Sequence, residues 1–143
     1  MFPTGAIIFT ERVKAFFDVH PLIHLLTFGG HDVGCRVAIK ALEQYDHIKP
    51  WENARRQGEK LKQKLNEIAA TNTAITSVNG MGLLLGINFI SAEAASAFCR
   101  NAIKNGIYVK TGEVAKNSVI IRPPLTITDQ DVEDIIKGMR TLG

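Results

Sequence analysis

The apolar residues of this chain recur every three or four positions in five separate stretches, a spacing that places them on one face of an α-helix. Residues that favour helix ends flank several of these stretches. Asp32 and Ser91 can each cap a helix, and Thr128 with Asp131 forms the pattern of a capping box. The pattern predicts helices over Glu11–Phe17, from near Asp32, from Lys49-Pro50 to about Ala70, between Ser91 and Asn105, and after Thr128. The last helix has the clearest apolar face, made of Val132, Ile135, Ile136, Met139 and Leu142.

Shorter apolar and β-branched runs, bounded by glycine, asparagine or proline, predict strands between these helices. The predicted strands are Gly5–Thr10, two strands within Ile75–Ile90 separated by a turn or bulge at Asn79–Gly82, Ile107–Lys110, and Ser118–Arg122. From Trp51 onward the order is helix, strand, strand, helix, strand, strand, helix. That order predicts an α+β layer in which helices pack on one face of a small sheet.

The two parts of the chain on either side of Lys49-Pro50 differ in what they can form. Residues 1–48 contribute one strand and two helices, which is too little to close a sheet. Residues 49–143 contribute enough elements for a small domain with its own core. The expected fold class is therefore α/β, with a small α+β domain at 49–143 that follows an incomplete part of another domain at 1–48.

Charge, apolar runs and cysteines exclude several classes of function. No apolar run is long enough to span a membrane, and Met1–Gly5 lacks the charged region of a targeting peptide. Cys35 and Cys99, the only cysteines, lie far apart in apolar settings, so we expect buried thiols in a reducing cytoplasm. The formal charge is +3, and the lysines that alternate along one predicted helix are too sparse for a nucleic-acid-binding stripe: Lys60, Lys62 and Lys64.

A threonine and two glycines, Thr27, Gly29 and Gly30, directly precede the helix that begins near Asp32. A hydroxyl and free backbone N–H groups at a helix N-terminus suit a phosphate, because the unpaired amides and the helix dipole both favour an anion. A glycine pair before a helix is also common as an ordinary turn. The residues alone therefore leave both an anion site and a plain turn open.

The histidines do not form the pattern of a metal site. His20 and His24 are four residues apart and His31 is near, but Pro21 interrupts any helix that would align them. The chain contains neither HExxH nor CxxC. No metal site is predicted.

The stretch TFGGHDVGCRVAIKALE, which begins at Thr27, resembles a segment of the class III, fold-type I aminotransferases that depend on pyridoxal 5′-phosphate (PLP). In that family the segment reads Thr-Phe/Tyr-Gly/Ser-Gly-His/Asn-Pro, followed by a helix of small residues. The resemblance implies that Thr27, helped by the backbone at Phe28, binds the phosphate of a PLP held by the other subunit of a homodimer. Asp32 stands where the family usually has proline, and both residues suit a helix start.

Other segments resemble the same family in the same order along the chain. FPTGAIIFTERVKAFF, from Phe2, resembles the strand and helix after the family's lysine- and glycine-rich loop, and ENARRQGEKLKQKL resembles its linking helix. SVNGMGLLLGINF resembles its Val-Arg-Gly-x-Gly-Leu-x-x-Gly strand pair, with Asn79 in place of the arginine. Gly106-Ile-Tyr-Val and PPLTIT resemble its C-terminal end. The chain is therefore identified as the C-terminal portion of such an enzyme, with residues 1–48 a remnant of the large PLP-binding domain.

The resemblance implies an enzyme that transfers an amino group between an amino acid or ω-amine and a 2-oxo acid. In the family, the Schiff-base lysine and the acid that holds the pyridine nitrogen protonated both lie upstream of the segment that begins at Phe2. None of the ten lysines of this chain lies in the family's lysine motif. We therefore assign no catalytic residue and expect the isolated chain to be inactive and to retain PLP poorly.

Arg122 is the second candidate site residue. The family often carries an arginine three positions before the first proline of its Pro-Pro-Leu, where it binds a substrate carboxylate; here that position is Ile120. A displacement of two residues keeps a strand side chain on the same face, so Arg122 can serve the same purpose from a shifted place. The alternative is a surface arginine on an edge strand, and relatives without the arginine tend to use ω-amino donors.

Two other classes of function remain open on the sequence. One is a non-catalytic α+β interaction module derived from such an enzyme, and the other is a free-standing α+β ligand-binding domain unrelated to PLP. The DNA immediately upstream distinguishes the aminotransferase from these two alternatives. A lysine-glycine motif there supports the aminotransferase, and unrelated sequence supports either alternative.

Overall fold

The computed structural model of the chain describes residues 5–140. It divides into two compact units, Met1–Ile48 and Lys49–Gly143. The first contains helices α1 (Glu11–Val19) and α2 (Asp32–Ile48). The second contains α3 (Pro50–Thr71), β1 (Ile75–Met81), β2 (Leu84–Phe89), α4 (Ala92–Lys104), β3 (Lys110–Thr111), β4 (Ser118–Ile121) and α5 (Asp129–Arg140).

The strand predicted over Gly5–Thr10 is absent, and these residues have no regular secondary structure. A strand requires a neighbour to accept its N–H groups and to donate to its carbonyls. The described part of the first unit contains no other strand, so the apolar run has nothing to pair with. The α1 helix was predicted correctly, and it ends at His20, whose N–H donates to the carbonyl of Phe17 at 3.1 Å.

The first unit buries almost none of its apolar side chains. Gly34 is the only buried residue in its described part. The apolar face predicted for α2 is exposed, including Val33, Val37 and Tyr45, and Cys35 is exposed rather than buried as expected. Periodicity correctly predicted a helix with one apolar face, but no residue between positions 5 and 48 covers that face.

We expect the 143-residue chain to self-associate, because so many exposed apolar side chains in one small unit favour association in water. In sedimentation equilibrium the apparent mass should rise with protein concentration. Replacing Ile8 and Leu25, both exposed in the first unit, by lysine should shift the chain towards monomer. The exchange of exposed Lys137 for alanine in the second unit is the control and should change nothing. A concentration-independent monomer for the unchanged chain would contradict this expectation.

The second unit has the predicted order of helices and strands and a core of its own. Its sheet is antiparallel throughout, with the strand order β1-β2-β4-β3. Alternate residues of the two central strands are buried on one face, where α3 and α4 pack against the sheet and α5 packs on α3. The sheet contributes Leu85, Ile87, Phe89, Val119 and Ile121 to this core, and the helices contribute Leu61, Leu65, Ala95, Ala102, Val132, Ile136 and Met139. The α+β layer predicted from the sequence is confirmed.

Two local details of the sheet differ from the prediction. The turn between β1 and β2 is formed by Gly82 and Leu83, whereas Asn79 lies within β1 rather than in the turn. Gly82 has a φ of 55°, in the left-handed region that a tight hairpin turn requires. The strand predicted over Ile107–Lys110 is confined to Lys110–Thr111, because the N–H of Ile107 donates to the carbonyl of Ala102 and closes α4 instead.

The predicted helix caps of the second unit are confirmed. The Ser91 hydroxyl accepts a hydrogen bond from the N–H of Ala94 at 3.2 Å. Asp131 accepts from the N–H of Thr128 at 2.7 Å, while the Thr128 hydroxyl accepts from the N–H of Asp131 at 3.2 Å. The first of these two bonds lowers the pKa of Asp131, because it stabilises the charged carboxylate. Such reciprocal bonding satisfies N–H groups that the helix start otherwise leaves unpaired.

Two of the three alternating lysines of α3, Lys60 and Lys64, form ion pairs with carboxylates of α5. Lys60 lies 3.0 Å from Asp129 and 3.2 Å from Glu133, and Lys64 lies 3.4 Å from Glu133. Hydrogen bonds from Lys60 lower the pKa values of Asp129 and Glu133, and the same bonds raise the pKa of Lys60. These lysines therefore neutralise carboxylates of a neighbouring helix.

Candidate functional site

The turn at Thr27–Gly30 leads directly into the N-terminus of α2. Two backbone hydrogen bonds hold it, from the N–H of Gly29 to the carbonyl of Leu26 at 3.2 Å and from the N–H of His31 to the carbonyl of Phe28 at 3.3 Å. Gly30 has a φ of 69°, a backbone conformation that glycine adopts without strain. The glycines therefore let the chain turn sharply into the helix.

His31 caps the start of α2. The N–H of Cys35 donates to its carbonyl at 2.9 Å, and the N–H of Gly34 donates to its Nδ1 at 3.4 Å. The helix dipole places partial positive charge at this end of the 17-residue helix. Asp32 lies in the first turn and places a negative charge there, which competes with any bound anion.

Thr27 and Phe28 are open to solvent, and the Phe28 side chain is 81% exposed. Within residues 5–140 the Thr27 hydroxyl makes no hydrogen bond, so it has its donor available. A hydroxyl donor, a glycine turn and a helix N-terminus are the groups that bind the oxygens of a phosphate monoester. The residues of this turn therefore fit the phosphate end of PLP.

Arg122 lies on the outer face of the sheet, away from the helices, in one row of cross-strand neighbours. Met81 pairs with Leu84 across the hairpin, and Leu85 pairs with Ile121. Continuing that register by one residue places Arg122 opposite Leu84, on the same face of the sheet. Because β4 lies between β2 and β3, Arg122 does not follow an edge strand.

The next row of the outer face contains the positions where the resemblance led us to expect arginines. Asn79 pairs with Gly86, Gly86 pairs with Ile120, and Ile120 pairs with Lys110. Two residues along a strand correspond to about 7 Å. Arg122 is therefore displaced by about 7 Å towards the hairpin turn from the row that Ile120 and Asn79 occupy.

Arg122 lines a groove of about 610 Å³ between the start of α3, the hairpin turn and the segment after β4. The groove is lined largely by apolar side chains, namely Trp51, Ala54, Met81, Leu83, Leu84, Pro123 and Leu125, and by one further cation, Arg55. Trp51 and Arg55 are four residues apart on α3, which puts them on one face of that helix. Sequence reasoning missed this groove, because its walls come from three segments that are distant along the chain.

The lysines with acidic neighbours are held in ion pairs, an environment that favours the charged ammonium over a reactive amine. Three are in exposed ion pairs: Lys14 with Asp18, Lys40 with Glu43 and Lys110 with Glu113. The pKa of Lys60 is raised by its hydrogen bonds to Asp129 and Glu133, whereas a nucleophilic lysine requires a lowered pKa. In the described ranges no three His, Cys, Asp or Glu side chains are grouped as metal ligands, and no helix is long and apolar enough to cross a membrane.

Comparison with known proteins settles the family. The family model of the class-III aminotransferases matches residues 2–142. This chain is a class-III aminotransferase family member. The resemblance inferred from the sequence motifs is thereby confirmed.

The relatives of this family member are aminotransferases about three times its length. It is 35% identical to a putrescine aminotransferase of Pectobacterium atrosepticum over 94% of its own residues, which is 29% of that protein. It is also 35% identical to an ornithine aminotransferase of Bacillus cereus and 33% identical to an acetylornithine aminotransferase of Neisseria meningitidis, and spans 32% and 34% of their lengths. The chain therefore spans about a third of each of these relatives.

Solved structures confirm the fold of this family member. The acetylornithine aminotransferase from Elizabethkingia anophelis superposes with a TM-score of 0.77 at 29% identity, over 83% of this chain and 31% of that one. The ornithine aminotransferase from Toxoplasma gondii, a structure with PLP at partial occupancy in its active site, gives 0.76 at 27% identity, over 85% of this chain and 29% of that one. A phospholyase from Arthrobacter shares the fold at a TM-score of 0.82 and 20% identity, over 93% of this chain and 33% of that one.

Proposed function

We propose that this chain is the C-terminal part of a PLP-dependent aminotransferase that transfers an amino group between an amino acid or ω-amine and a 2-oxo acid. In this proposal residues 1–48 belong to the large PLP-binding domain and residues 49–143 are the small domain. The observation that carries it is the exposed Thr27 turn at the N-terminus of α2, in a chain that matches the class-III family along residues 2–142. That turn offers an anion a hydroxyl and a helix dipole in one place.

The residues of this chain have positioning roles in the proposal. Thr27 donates its hydroxyl to a phosphate oxygen, and the backbone at Phe28 supports that contact. PLP, when bound, supplies an electron sink that stabilises negative charge at the substrate carbon. A charge-assisted hydrogen bond from Thr27 holds that group in place without taking part in proton transfer.

Arg122 is the proposed contact for a substrate carboxylate. A guanidinium group can donate two parallel hydrogen bonds to a carboxylate, which fixes the orientation of the acid as well as its position. Arg122 lines the groove and is exposed to solvent, which supports this role because a ligand can reach it.

A homodimer is part of the proposal. The exposed apolar side chains of the first unit, among them Leu22, Ile23 and Leu26, favour burial against further polypeptide. We further propose that Thr27 of one subunit contacts the PLP held by the other. A cytoplasmic location is also part of the proposal, since Cys35 and Cys99 are both free thiols and a reducing compartment keeps thiols in that form.

A non-catalytic binding module is the second candidate function. It is favoured by the second unit, which has its own core of buried side chains from three helices and a four-stranded sheet. Such a unit is able to present the groove at Arg122 without any cofactor. Upstream DNA that lacks a lysine-glycine motif would favour this alternative.

The test of the proposed function is Thr27→Ala in a protein that joins this chain to the remaining part of a class III enzyme. Loss of one hydrogen bond to a charged phosphate costs about 1.5–3 kcal/mol, so PLP should dissociate about 10- to 100-fold more readily. The retained cofactor is measured from its absorbance after dialysis. Thr27→Ser keeps the hydroxyl and should retain PLP like the unchanged protein. Equal retention by the alanine and serine variants would reject the assignment.

A further inference from the structure

The groove beside Arg122 combines an apolar wall with two guanidinium groups. Trp51, Met81 and Leu84 expose half or more of their surface there, with Met81 at 88%. Met81 and Leu84 are adjacent on the outer face of the sheet, and the register extends that row to Arg122. The apolar wall and the cation are therefore side by side in one concave surface.

The two arginines of the groove have no acidic partner in the part of the chain that the structure describes. Arg56, one residue after Arg55, instead pairs with Asp129 at 3.2 Å, and Arg140 pairs with Glu67 at 3.4 Å. Arg55 and Arg122 thus differ from these paired arginines in leaving their donors open. Two such cations at one groove attract an anion and repel an ammonium group.

We propose that this groove binds an apolar monocarboxylate, that is, an aliphatic or aromatic acid with a single charged group. Its carboxylate binds Arg122 with help from Arg55, and its hydrocarbon part packs on Trp51, Met81 and Leu84. The inference rests on the proposed carboxylate-binding role of Arg122, and it names the acid that Arg122 selects. It does not depend on PLP or on Thr27.

The displacement of Arg122 supports this class of acid. An arginine at position 120 would hold the carboxylate in the row of Asn79 and Lys110, among polar groups. At position 122 the carboxylate is held about 7 Å nearer the hairpin turn, against apolar side chains. With Arg122 and Arg55 both engaged by the first carboxylate, a second charged group carried on the hydrocarbon part would lose its hydration against Trp51, Met81 and Leu84, which carry no charge to pair with it. The groove therefore favours acids whose remaining part is hydrocarbon.

Trp51 provides the measurement, because it is the only tryptophan of the chain and lines the groove. The 143-residue chain is titrated with acetate, butyrate and hexanoate, and with hexylamine and putrescine at the same ionic strength, while Trp51 emission is recorded. We expect a saturable change with hexanoate. Each added methylene should tighten binding by about two- to fourfold, in line with the free energy of burying a CH₂ group. The two amines should give no saturable change.

Variants separate the groove from a general effect of acids on the protein. Arg122→Gln and Arg55→Gln should each weaken hexanoate binding, by about tenfold for Arg122 as expected for loss of a charged hydrogen-bond partner. Arg100→Gln removes an exposed arginine of α4 that does not line the groove, and it should bind hexanoate as the unchanged chain does. Thermal unfolding of each variant verifies that it is folded.

The inference is overturned if hexylamine matches hexanoate, if acetate binds as tightly as hexanoate, or if Arg122→Gln behaves like Arg100→Gln. It is also overturned if no ligand changes Trp51 emission. These outcomes are distinct from failure of the proposed function, which is read from PLP retention in Thr27→Ala. If hexanoate binds as expected but Thr27→Ala retains PLP like the unchanged protein, the acid-binding groove is supported and the contact between Thr27 and the cofactor is rejected.

Discussion

Gly58→Ala is expected to destabilise the second unit by about 1–3 kcal/mol, despite the higher helix propensity of alanine. Gly58 lies in α3 where the helix crosses the β1-β2 hairpin, and a β-carbon there would overlap the carbonyl group of Gly82. The β-carbon is fixed to the backbone of α3 and the atoms it meets are backbone atoms of Gly82, so neither can move aside as a flexible side chain would. The expected result is a lower midpoint in urea unfolding, followed by circular dichroism at 222 nm.

The same substitution at Gly86 is the control. Gly86 lies in β2, and a β-carbon there would meet the Ser118 hydroxyl oxygen at 3.4 Å, which is an ordinary contact. Gly86→Ala should therefore unfold close to the midpoint of the unchanged chain. Equal midpoints for the two alanine variants would show that α3 and the hairpin do not approach each other as closely as the structure has them.

The second unit was predictable because its signals are local. The capping residues Ser91 and Thr128 mark helix starts within three residues of the groups they bind, and the apolar face of α5 follows from its 3.6-residue period. The strand over Gly5–Thr10 was predicted wrongly, because a strand depends on a partner that periodicity does not reveal. The prediction that Cys35 is buried was also wrong, because burial too depends on a packing partner that periodicity does not reveal.

The two candidate sites also differ in how far their residues lie apart along the chain. The turn at Thr27 is built from consecutive residues, so the sequence alone places Thr27 in the turn that precedes α2. Its role in binding PLP stays a prediction. The groove of Trp51, Arg55 and Arg122 depends on which residues pair across the sheet and on where α3 crosses the hairpin. Neither relation can be obtained from spacing along the chain.

The isolated 143-residue chain is expected to show no amino transfer. In the family that its motifs resemble, one enzyme lysine carries the cofactor and moves the proton at the substrate carbon, and none of the ten lysines here lies in that motif. General acid–base help of this kind contributes about 10²- to 10⁴-fold and requires a positioned amine. Thr27 and Arg122 position groups but do not react. A coupled assay with an amino donor and a 2-oxo acid should give the rate of the protein-free control.

Borohydride reduction of the chain with PLP, followed by peptide mapping, tests most directly whether this chain positions the cofactor without supplying its lysine. The account predicts weak labelling that is spread over several exposed lysines, such as Lys104 and Lys116, and falls as PLP is diluted. Reduced free lysine peptides mixed with PLP under the same conditions set the background. One stoichiometrically labelled lysine, accompanied by turnover in the amino-transfer assay, would contradict the account and identify a catalytic lysine within this chain.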